Sequence, residues 1–168
     1  MDLLFSRFKI GADQIFYRTA LSAAFVNLRP IVPGHVLVMP QRVVPLLTDL
    51  HDDEYDDLWR TVRMVQKVVG QRYGADAFNV AVQDGRAAGQ SVPHVHVHIL
   101  PRRSGDFQRN DDVYDELQDW APTVEGMAKK KEAAQELEVP DDDDRKDRTM
   151  QQMVDEATEY RRIADEIK

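Results

Sequence analysis

Three histidines alternate with aliphatic residues near the middle of the chain, in the run VPHVHVHILP over residues 92–101. The residues between the histidines are β-branched, and such residues favour an extended strand. Because side chains alternate across a strand, His94, His96 and His98 are predicted to lie on one face and the aliphatic residues on the other. A proline on either side lacks the amide hydrogen that a sheet requires, so we expect the strand to lie between the two prolines.

This row of imidazoles suits an elongated ligand such as a chain of phosphates. With a rise of about 3.3 Å per residue, neighbouring rings are expected about 7 Å apart and the outer pair about 13 Å apart. Packing alone explains the row poorly, since each buried ring would need partners for two nitrogens. A metal site is the stronger alternative because imidazole is a common ligand, although the outer rings are too far apart to share one ion.

Charge and composition narrow the function classes. The chain has 168 residues and a net charge of −8, so no stable binding to nucleic acid is expected. It has no cysteine, which excludes disulfides and fits a reducing compartment. No apolar run approaches the roughly 20 residues that span a bilayer, and no signal-peptide pattern opens the sequence. We expect no membrane binding and a cytoplasmic location, with the nucleus as the alternative.

The hydrophobic pattern predicts an α+β fold. Apolar residues spaced by three and four predict a helix from Asp52 to Tyr73, with Gly74 as its C-terminal cap. A final helix is predicted to begin near Thr149, where Thr149 and Gln152 fit a capping box. Apolar patterns predict further strands at residues 14–19, 22–28, 35–39 and 77–83. The first three of these strands look like an antiparallel meander.

Several segments together resemble a known family. The motif HVHVHIL at residues 94–100 resembles the histidine triad motif, and VPGHVLVMP at 32–40 is similar to that superfamily's second signature. Three further segments resemble the fragile histidine triad branch: QDG at 83–85, AGQSV at 88–92, and GDF at 105–107 with ND at 110–111. The resemblance covers roughly Phe5 to Leu117. It implies the histidine triad fold, in which a five-stranded antiparallel sheet carries a long helix and a C-terminal helix.

The resemblance also implies an activity and catalytic roles. Members of this branch are dinucleoside triphosphate hydrolases, so diadenosine triphosphate would be cleaved to AMP and ADP. His96 would be the nucleophile that attacks the α-phosphorus and becomes covalently nucleotidylated. His94 would orient His96 through its backbone carbonyl, and His98 would contact the phosphate oxygens and the leaving group. His35 would pack close behind the triad. A neutral imidazole at pH 7 is a competent nucleophile, which agrees with this assignment.

The same resemblance implies a substrate site. Gln83 would hold the bridging oxygen, and Asn27 would bind the ribose hydroxyls. The phosphates would be held by Gly89, Gln90, Ser91 and Val92. The purine would be walled by Phe5, Phe25, Val26 and Leu37. No metal bound by protein ligands is expected, although a divalent cation (Mg or Mn) would accompany the substrate phosphates. A homodimer is implied by the resemblance alone.

This reading divides the chain into three parts. The histidine triad catalytic domain is expected over residues 1–120, a mobile acidic insert over 121–148, and a C-terminal helix packing on the domain over 149–168. The insert is expected because a proline is followed by four consecutive aspartates at 141–144. Just past the histidine strand, Arg102 and Arg103 are candidates for binding an anionic substrate.

Two other functions stay open at this stage. Phe8 stands where some family members carry a polar residue that faces the substrate, so adenylyl sulfate or nucleoside phosphoramidates are alternative substrates. The second alternative is a signalling module, in which binding of the dinucleotide matters more than its cleavage. Slow turnover with tight retention of the nucleotide would distinguish this module from a hydrolase.

Overall fold

The computed structural model describes residues 1–122, 126 and 147–167. Its strands are β1 (Leu3–Phe5), β2 (Phe8–Ile10), β3 (Ile15–Arg18), β4 (Ser22–Val26), β5 (Val36–Pro40), β6 (Ala77–Ala81) and β7 (Val97–Arg102). Its α-helices are α1 (Asp52–Tyr73), α2 (Asp112–Asp119) and α3 (Met150–Ile167). The insert predicted over 121–148 lies almost wholly outside the described residues.

Five strands form one antiparallel sheet in the order β3-β4-β5-β7-β6. The short hairpin β1-β2 forms a separate two-stranded sheet. The predicted α+β fold with a five-stranded antiparallel sheet is therefore confirmed. Among the described residues, no helix has the length and apolar character needed to cross a membrane.

The two faces of the sheet have different roles because side chains alternate along each strand. One face packs against α1 and α3 in the main hydrophobic core, to which the sheet contributes Ala24, Val26, Val36, Val38, Val97 and Ile99. On the opposite face, Phe25 pairs with Leu37 and Leu37 pairs with His98, across β4, β5 and β7. This second face carries the histidines.

The long helix has the span that its sequence predicts, Asp52–Tyr73. Three acidic residues occupy its first turn, where negative charge favours the helix dipole. Gly74 follows in the left-handed conformation, with φ 56°, as expected of a C-terminal cap. At the start of α3, the Thr149 side chain accepts the Gln152 amide and the Gln152 side chain accepts the Thr149 amide. The predicted capping box is therefore present.

The histidine strand differs from its prediction at both ends. It begins at Val97 rather than at the first histidine, and it continues through Pro101. The preceding segment is bonded elsewhere, since the Val95 amide donates to the carbonyl of Val44, beyond the end of β5. Pro101 lies past Ile99, the last residue of β7 that pairs with β5, so its missing amide interrupts pairing on at most one side.

Candidate active site

The histidine rings gather on the face of the sheet opposite the helices. The Phe5 ring lies 5.0 Å from that of His96, and His96 lies 5.0 Å from His98. His35 lies 5.2 Å from His98, measured between ring centroids. The His96 and His98 rings are thus closer together than the predicted spacing of about 7 Å. The reason is that His96 precedes β7 and is not held in a regular strand.

His94 has both ring nitrogens engaged within the protein. Its Nδ1 accepts the Ser6 amide at 3.0 Å, and its Nε2–H donates to the Pro40 carbonyl at 2.9 Å. A carbonyl only accepts, so the single proton of the neutral ring lies on Nε2. Burial is the main cause that lowers the pKa of His94 below its usual range. The side chain therefore ties the β1-β2 turn to the end of β5 and has no lone pair left for a metal ion.

The backbone of His94 fixes the proton of its neighbour. The His96 Nδ1–H donates to the His94 carbonyl at 2.7 Å. In a neutral imidazole this places the lone pair on Nε2 of His96. This is the backbone contact by which, according to the family resemblance, His94 would orient the nucleophile.

A second chain of hydrogen bonds fixes the proton of His98. The Nδ1 of His35 accepts the Ile31 amide at 3.1 Å, and the Asn27 side-chain nitrogen faces the same atom at 3.4 Å. Neutral His35 therefore carries its proton on Nε2, which lies 3.0 Å from Nδ1 of His98. His98 accepts there and must carry its own proton on Nε2. His96 thus offers a lone pair where His98 offers a donor.

Replacing His94 by alanine separates the structural role of its side chain from the orienting role of its backbone carbonyl. His94→Ala keeps the carbonyl that accepts from His96, so we expect kcat to fall by no more than about tenfold. The variant leaves the Ser6 amide and the Pro40 carbonyl without their partner, at a cost of about 1–3 kcal/mol for each buried group. Thermal and denaturant unfolding measure this loss.

The dependence of the free energy of unfolding on pH, below neutral pH, provides a second test of the role of His94. Since its folded-state pKa is lowered, its contribution is complete above the unfolded value of 6.5 and is lost as pH falls below it. His94→Ala should therefore show a shallower loss of stability below pH 6.5 than wild type. Two results would contradict a purely structural role for the His94 side chain. One is an equal slope of stability against pH in both proteins, and the other is a loss of kcat as large as that of a nucleophile variant.

The predicted phosphate-binding segment lies beside Gln83. A Cβ at Gly89 would stand 2.9 Å from the Gln83 side-chain nitrogen, and Gly89 has φ 87°. That nitrogen donates to the Leu117 carbonyl at 3.2 Å. The Gln83 Oε1 and the Ser91 hydroxyl are buried and have no hydrogen-bond partner among the described residues. Buried polar atoms of this kind require a partner. A bound phosphate could accept from the Ser91 hydroxyl, whereas the Gln83 Oε1, which only accepts, would need a donor such as water.

Three predicted substrate residues have side chains that are engaged within the fold. The Gln90 side chain donates to the Pro45 carbonyl at 2.8 Å. The Asn27 side chain is 2% exposed and accepts the Arg29 amide at 3.0 Å, so in this conformation it faces internal partners. Val92 is buried in the cluster beneath Trp120, where it contributes an apolar side chain.

The predicted purine wall is brought together only in part. Phe5, Phe25 and Leu37 share one hydrophobic cluster with Trp120. Val26 belongs instead to the main core on the other face of the sheet. It directly follows Phe25 in β4, and consecutive strand residues point to opposite faces, so the two side chains cannot line the same pocket.

Sequence reasoning did not single out Trp120, which covers the imidazoles. Its ring lies 4.7 Å from His98 and 5.8 Å from His96, and its indole N–H donates to the Arg29 carbonyl at 3.3 Å. Beneath it, His98 is 0% exposed and His96 is 1% exposed. The Phe5 ring, 5.0 Å from that of His96, lies against the same imidazole, so Trp120 and Phe5 together cover it.

Arg102 does not serve the anion-binding role considered for it. Its guanidinium donates to both carboxylate oxygens of Asp106, at 2.6 and 2.8 Å, and to Asn79 at 2.6 Å. It also lies over the Phe107 ring at 4.8 Å. With the side chain buried and its donors engaged, Arg102 fastens the segment that leads from β7 to α2.

Comparison with known proteins identifies the family. The HIT domain family profile matches residues 11–105. The chain is 48% identical over 161 residues to the bifunctional bis(5'-adenosyl)-triphosphatase/adenylylsulfatase FHIT of Arabidopsis thaliana, which covers 96% of this chain and 83% of that protein. It is 48% identical over 166 residues to the asymmetrical bis(5'-nucleosyl)-tetraphosphatase of Schizosaccharomyces pombe, covering 93% and 91% of the two chains.

Solved structures agree with this relationship. The NitFhit protein of Caenorhabditis elegans superposes with a TM-score of 0.72 at 41% identity, over 96% of this chain and 30% of that chain. The Plasmodium falciparum diadenosine triphosphate hydrolase in complex with Cyclomarin A gives 0.73 at 25% identity, over 98% and 85% of the two chains. The chain therefore belongs to the HIT domain family and, within it, to the fragile histidine triad branch.

Proposed function

We propose that this protein is a hydrolase that cleaves dinucleoside polyphosphates, and diadenosine triphosphate in particular, to AMP and a second nucleotide. The observation that carries the proposal is the hydrogen bonding of two adjacent rings, from which we infer a lone pair on His96 Nε2 and a donor on His98 Nε2. A lone pair can attack phosphorus while a neighbouring donor stabilises the departing phosphate. The names of the Arabidopsis and fission yeast relatives support the substrate class.

In the first step, His96 Nε2 forms a bond to the α-phosphorus while the bond from that phosphorus to the bridging oxygen breaks. ADP leaves, and an adenylyl group remains on His96. The ring becomes cationic as the bond forms, and the His94 carbonyl at 2.7 Å from Nδ1 stabilises that charge. The Nε2–H of His98 donates to the phosphoryl or leaving oxygen, where negative charge develops.

In the second step, a water oxygen attacks the same phosphorus and the phosphorus–nitrogen bond breaks. The electron pair of that bond returns to His96 Nε2, the water releases one proton to solvent, AMP leaves and His96 returns to its neutral starting state. The Gln83 Oε1 and the Ser91 hydroxyl are buried without partners among the described residues. The hydroxyl can donate to a phosphate oxygen, and the amide oxygen can accept from the attacking water. A divalent cation (Mg or Mn) would accompany the substrate phosphates.

Adenylyl sulfate is a second candidate substrate. The same bond to an adenylyl phosphorus would break, with sulfate as the leaving group, and the Arabidopsis relative is named for both activities. Phe8 favours an apolar contact near the site because it packs partly buried against the cluster that contains Phe5 and Trp120. Such a contact does not select between a second nucleoside and a small leaving group.

Chromatographic product analysis with a panel of substrates tests the proposal. Diadenosine triphosphate should yield AMP and ADP in equal amounts, and adenylyl sulfate and a nucleoside phosphoramidate are run in parallel. Turnover of the dinucleotide with weak product retention supports the hydrolase. Absence of cleavage from every substrate, with tight retention of the dinucleotide, would favour the signalling module instead.

A homodimer formed through β6 is also proposed. In the described part of the chain β6 pairs only with β7, so it forms an open edge of the five-stranded sheet. Val80 on this edge is 38% exposed. An exposed edge strand offers unpaired backbone groups to a second strand, and two copies could extend each other's sheet.

Light scattering after size-exclusion chromatography tests the dimer. We expect wild type at about twice the mass of the 19.3 kDa chain, and Val80→Lys at the single-chain mass, because a charge on the edge opposes strand pairing. Val43→Lys is the matched control, since Val43 is similarly exposed at 45% but lies outside the strands. Wild type that elutes as a single chain at micromolar concentration would overturn the proposal.

A further inference from the structure

Arg148, which lies just before α3, is hydrogen-bonded to the backbone of Asn27 and Leu28 next to the histidine site. The Arg148 amide donates to the Leu28 carbonyl at 3.1 Å, and the Arg148 Nε donates to the Asn27 carbonyl at 2.9 Å. A second guanidinium nitrogen, Nη2, also donates to the Asn27 carbonyl. Arg148 lies outside the segment that matches the HIT domain profile, residues 11–105.

The guanidinium of Arg148 is held in place from its other end. Its Nη1 pairs with Glu156 at 2.6 Å, and the two side chains are only 18% and 13% exposed. Glu156 also accepts the hydroxyl of Tyr160 at 2.9 Å and that of Tyr73 at 3.1 Å. A largely buried, multiply bonded ion pair fixes a guanidinium far better than an exposed pair does. Arg148 therefore acts as a rigid clamp on residues 27 and 28.

Asn27 and Leu28 begin the loop that determines which nitrogen of His35 carries the proton. This loop leaves β4 at Val26 and supplies both groups that face His35 Nδ1, the Asn27 side-chain nitrogen at 3.4 Å and the Ile31 amide at 3.1 Å. Those two groups keep Nδ1 as an acceptor. The proton then stays on His35 Nε2, which determines on which nitrogen His98 carries its own proton.

We infer that Arg148 is a positioning residue for the proposed hydrolysis, acting through Asn27 and His35 to keep the proton of His98 on Nε2. This inference rests on the proposed function for its kinetic consequence only. Without the clamp, the loop can withdraw its donors from His35 Nδ1, and the proton can move to that nitrogen. His35 Nε2 would then accept from His98, leaving His98 Nε2 without the N–H that donates a hydrogen bond to the leaving oxygen.

The direct test observes the imidazole tautomers in the absence of nucleotide. In protein labelled with ¹⁵N at histidine, long-range ¹H–¹⁵N correlation spectra distinguish a protonated Nδ1 from a protonated Nε2. Wild type should show His35 and His98 protonated on Nε2, and Arg148→Met should show part or all of each population protonated on Nδ1. Because no substrate is present, this result is independent of the reaction that the protein catalyses.

Arg161→Met is the matched control. Arg161 also reaches from α3 to backbone carbonyls, donating to Ile15 at 3.0 Å and to Asp13 at 2.6 Å. Neither residue belongs to the loop that supplies the donors to His35 Nδ1. We expect this variant to keep the wild-type tautomers and to change kcat less than about twofold. In Arg148→Met, kcat should fall about 10²-fold with a smaller change in KM, as for loss of one hydrogen-bond donor to the transition state.

Two outcomes would overturn the inference. One is an Arg148→Met protein that melts like Arg161→Met and keeps both the wild-type tautomers and the wild-type kcat. The other is a loss of kcat in Arg148→Met while His35 and His98 remain protonated on Nε2. If Arg148→Met does not fold, Arg148→Lys replaces it. Lysine keeps the pair with Glu156 but cannot bridge to Asn27 with fixed geometry, so it should show the same tautomer change to a smaller extent.

Discussion

A His96→Ala variant is expected to hydrolyse diadenosine triphosphate at least about 10⁴-fold more slowly than wild type, as for loss of a catalytic nucleophile. The reason is that His96 Nε2 supplies the electron pair that attacks phosphorus. No other ring can replace it, since His94 uses both nitrogens within the fold and His98 carries a proton on Nε2. Single-turnover rates measured by chromatography give the size of the loss.

A histidine outside the site provides the matched control for this variant. His51 precedes the first residue of α1 and is exposed, so His51→Ala should keep kcat within about twofold of wild type. His96→Ala should also retain nucleotide binding, because the phosphate and purine contacts remain. Turnover by His96→Ala within tenfold of wild type would show that His96 is not the nucleophile.

The second large effect is expected at Trp120. Trp120→Ala should bind AMP at least about tenfold more tightly than wild type, because the indole must leave the cluster of Phe5, Phe25 and Leu37 before a purine can enter. The apparent association constant equals the intrinsic constant multiplied by the fraction of molecules in which the site is open. Burial of about 150–250 Å² of indole surface stabilises the closed site by at most about 4–6 kcal/mol. Calorimetric titration with AMP measures the change.

Tyr114 supplies the control for Trp120. It is an aromatic residue of α2 that is 56% exposed, and Tyr114→Ala should leave the affinity for AMP unchanged. The chain has two tryptophans, so a Trp59→Phe protein reports Trp120 alone. Its emission should shift to longer wavelength and become more sensitive to acrylamide when AMP is added. An unchanged emission at saturating AMP, with equal affinity in Trp120→Ala, would show that the indole stays in place.

Local sequence signals predicted the parts of the fold that repeat over many residues. The 22 residues of α1 have a sustained apolar spacing, acidic residues in the first turn and a glycine beyond the last, and the helix was placed correctly. The hairpin β1-β2 was missed because each strand has only three residues, too few to show a period. α2 was missed because most of its eight residues are polar, with Val113 and Leu117 as its buried side chains.

The candidate site was predicted less completely, and the reasons differ between residues. The error at Val26 was avoidable, since Phe25 and Val26 are neighbours on a strand and cannot share a face. The cover by Trp120 could not be foreseen, because it depends on how a polar segment folds back over the sheet. The proton arrangement depends on His35 and His98, which are 63 residues apart, and no local pattern reports such a contact.

The stereochemical course at phosphorus tests the central claim most directly. A substrate whose α-phosphorus is made chiral with sulfur and an oxygen isotope is hydrolysed by wild type in isotopically labelled water, and the configuration of the product is determined. Attack by His96 followed by attack of water comprises two in-line displacements, each with inversion, so we expect net retention. Net inversion would mean that water attacks the substrate directly, and would contradict a nucleotidyl-histidine intermediate on His96.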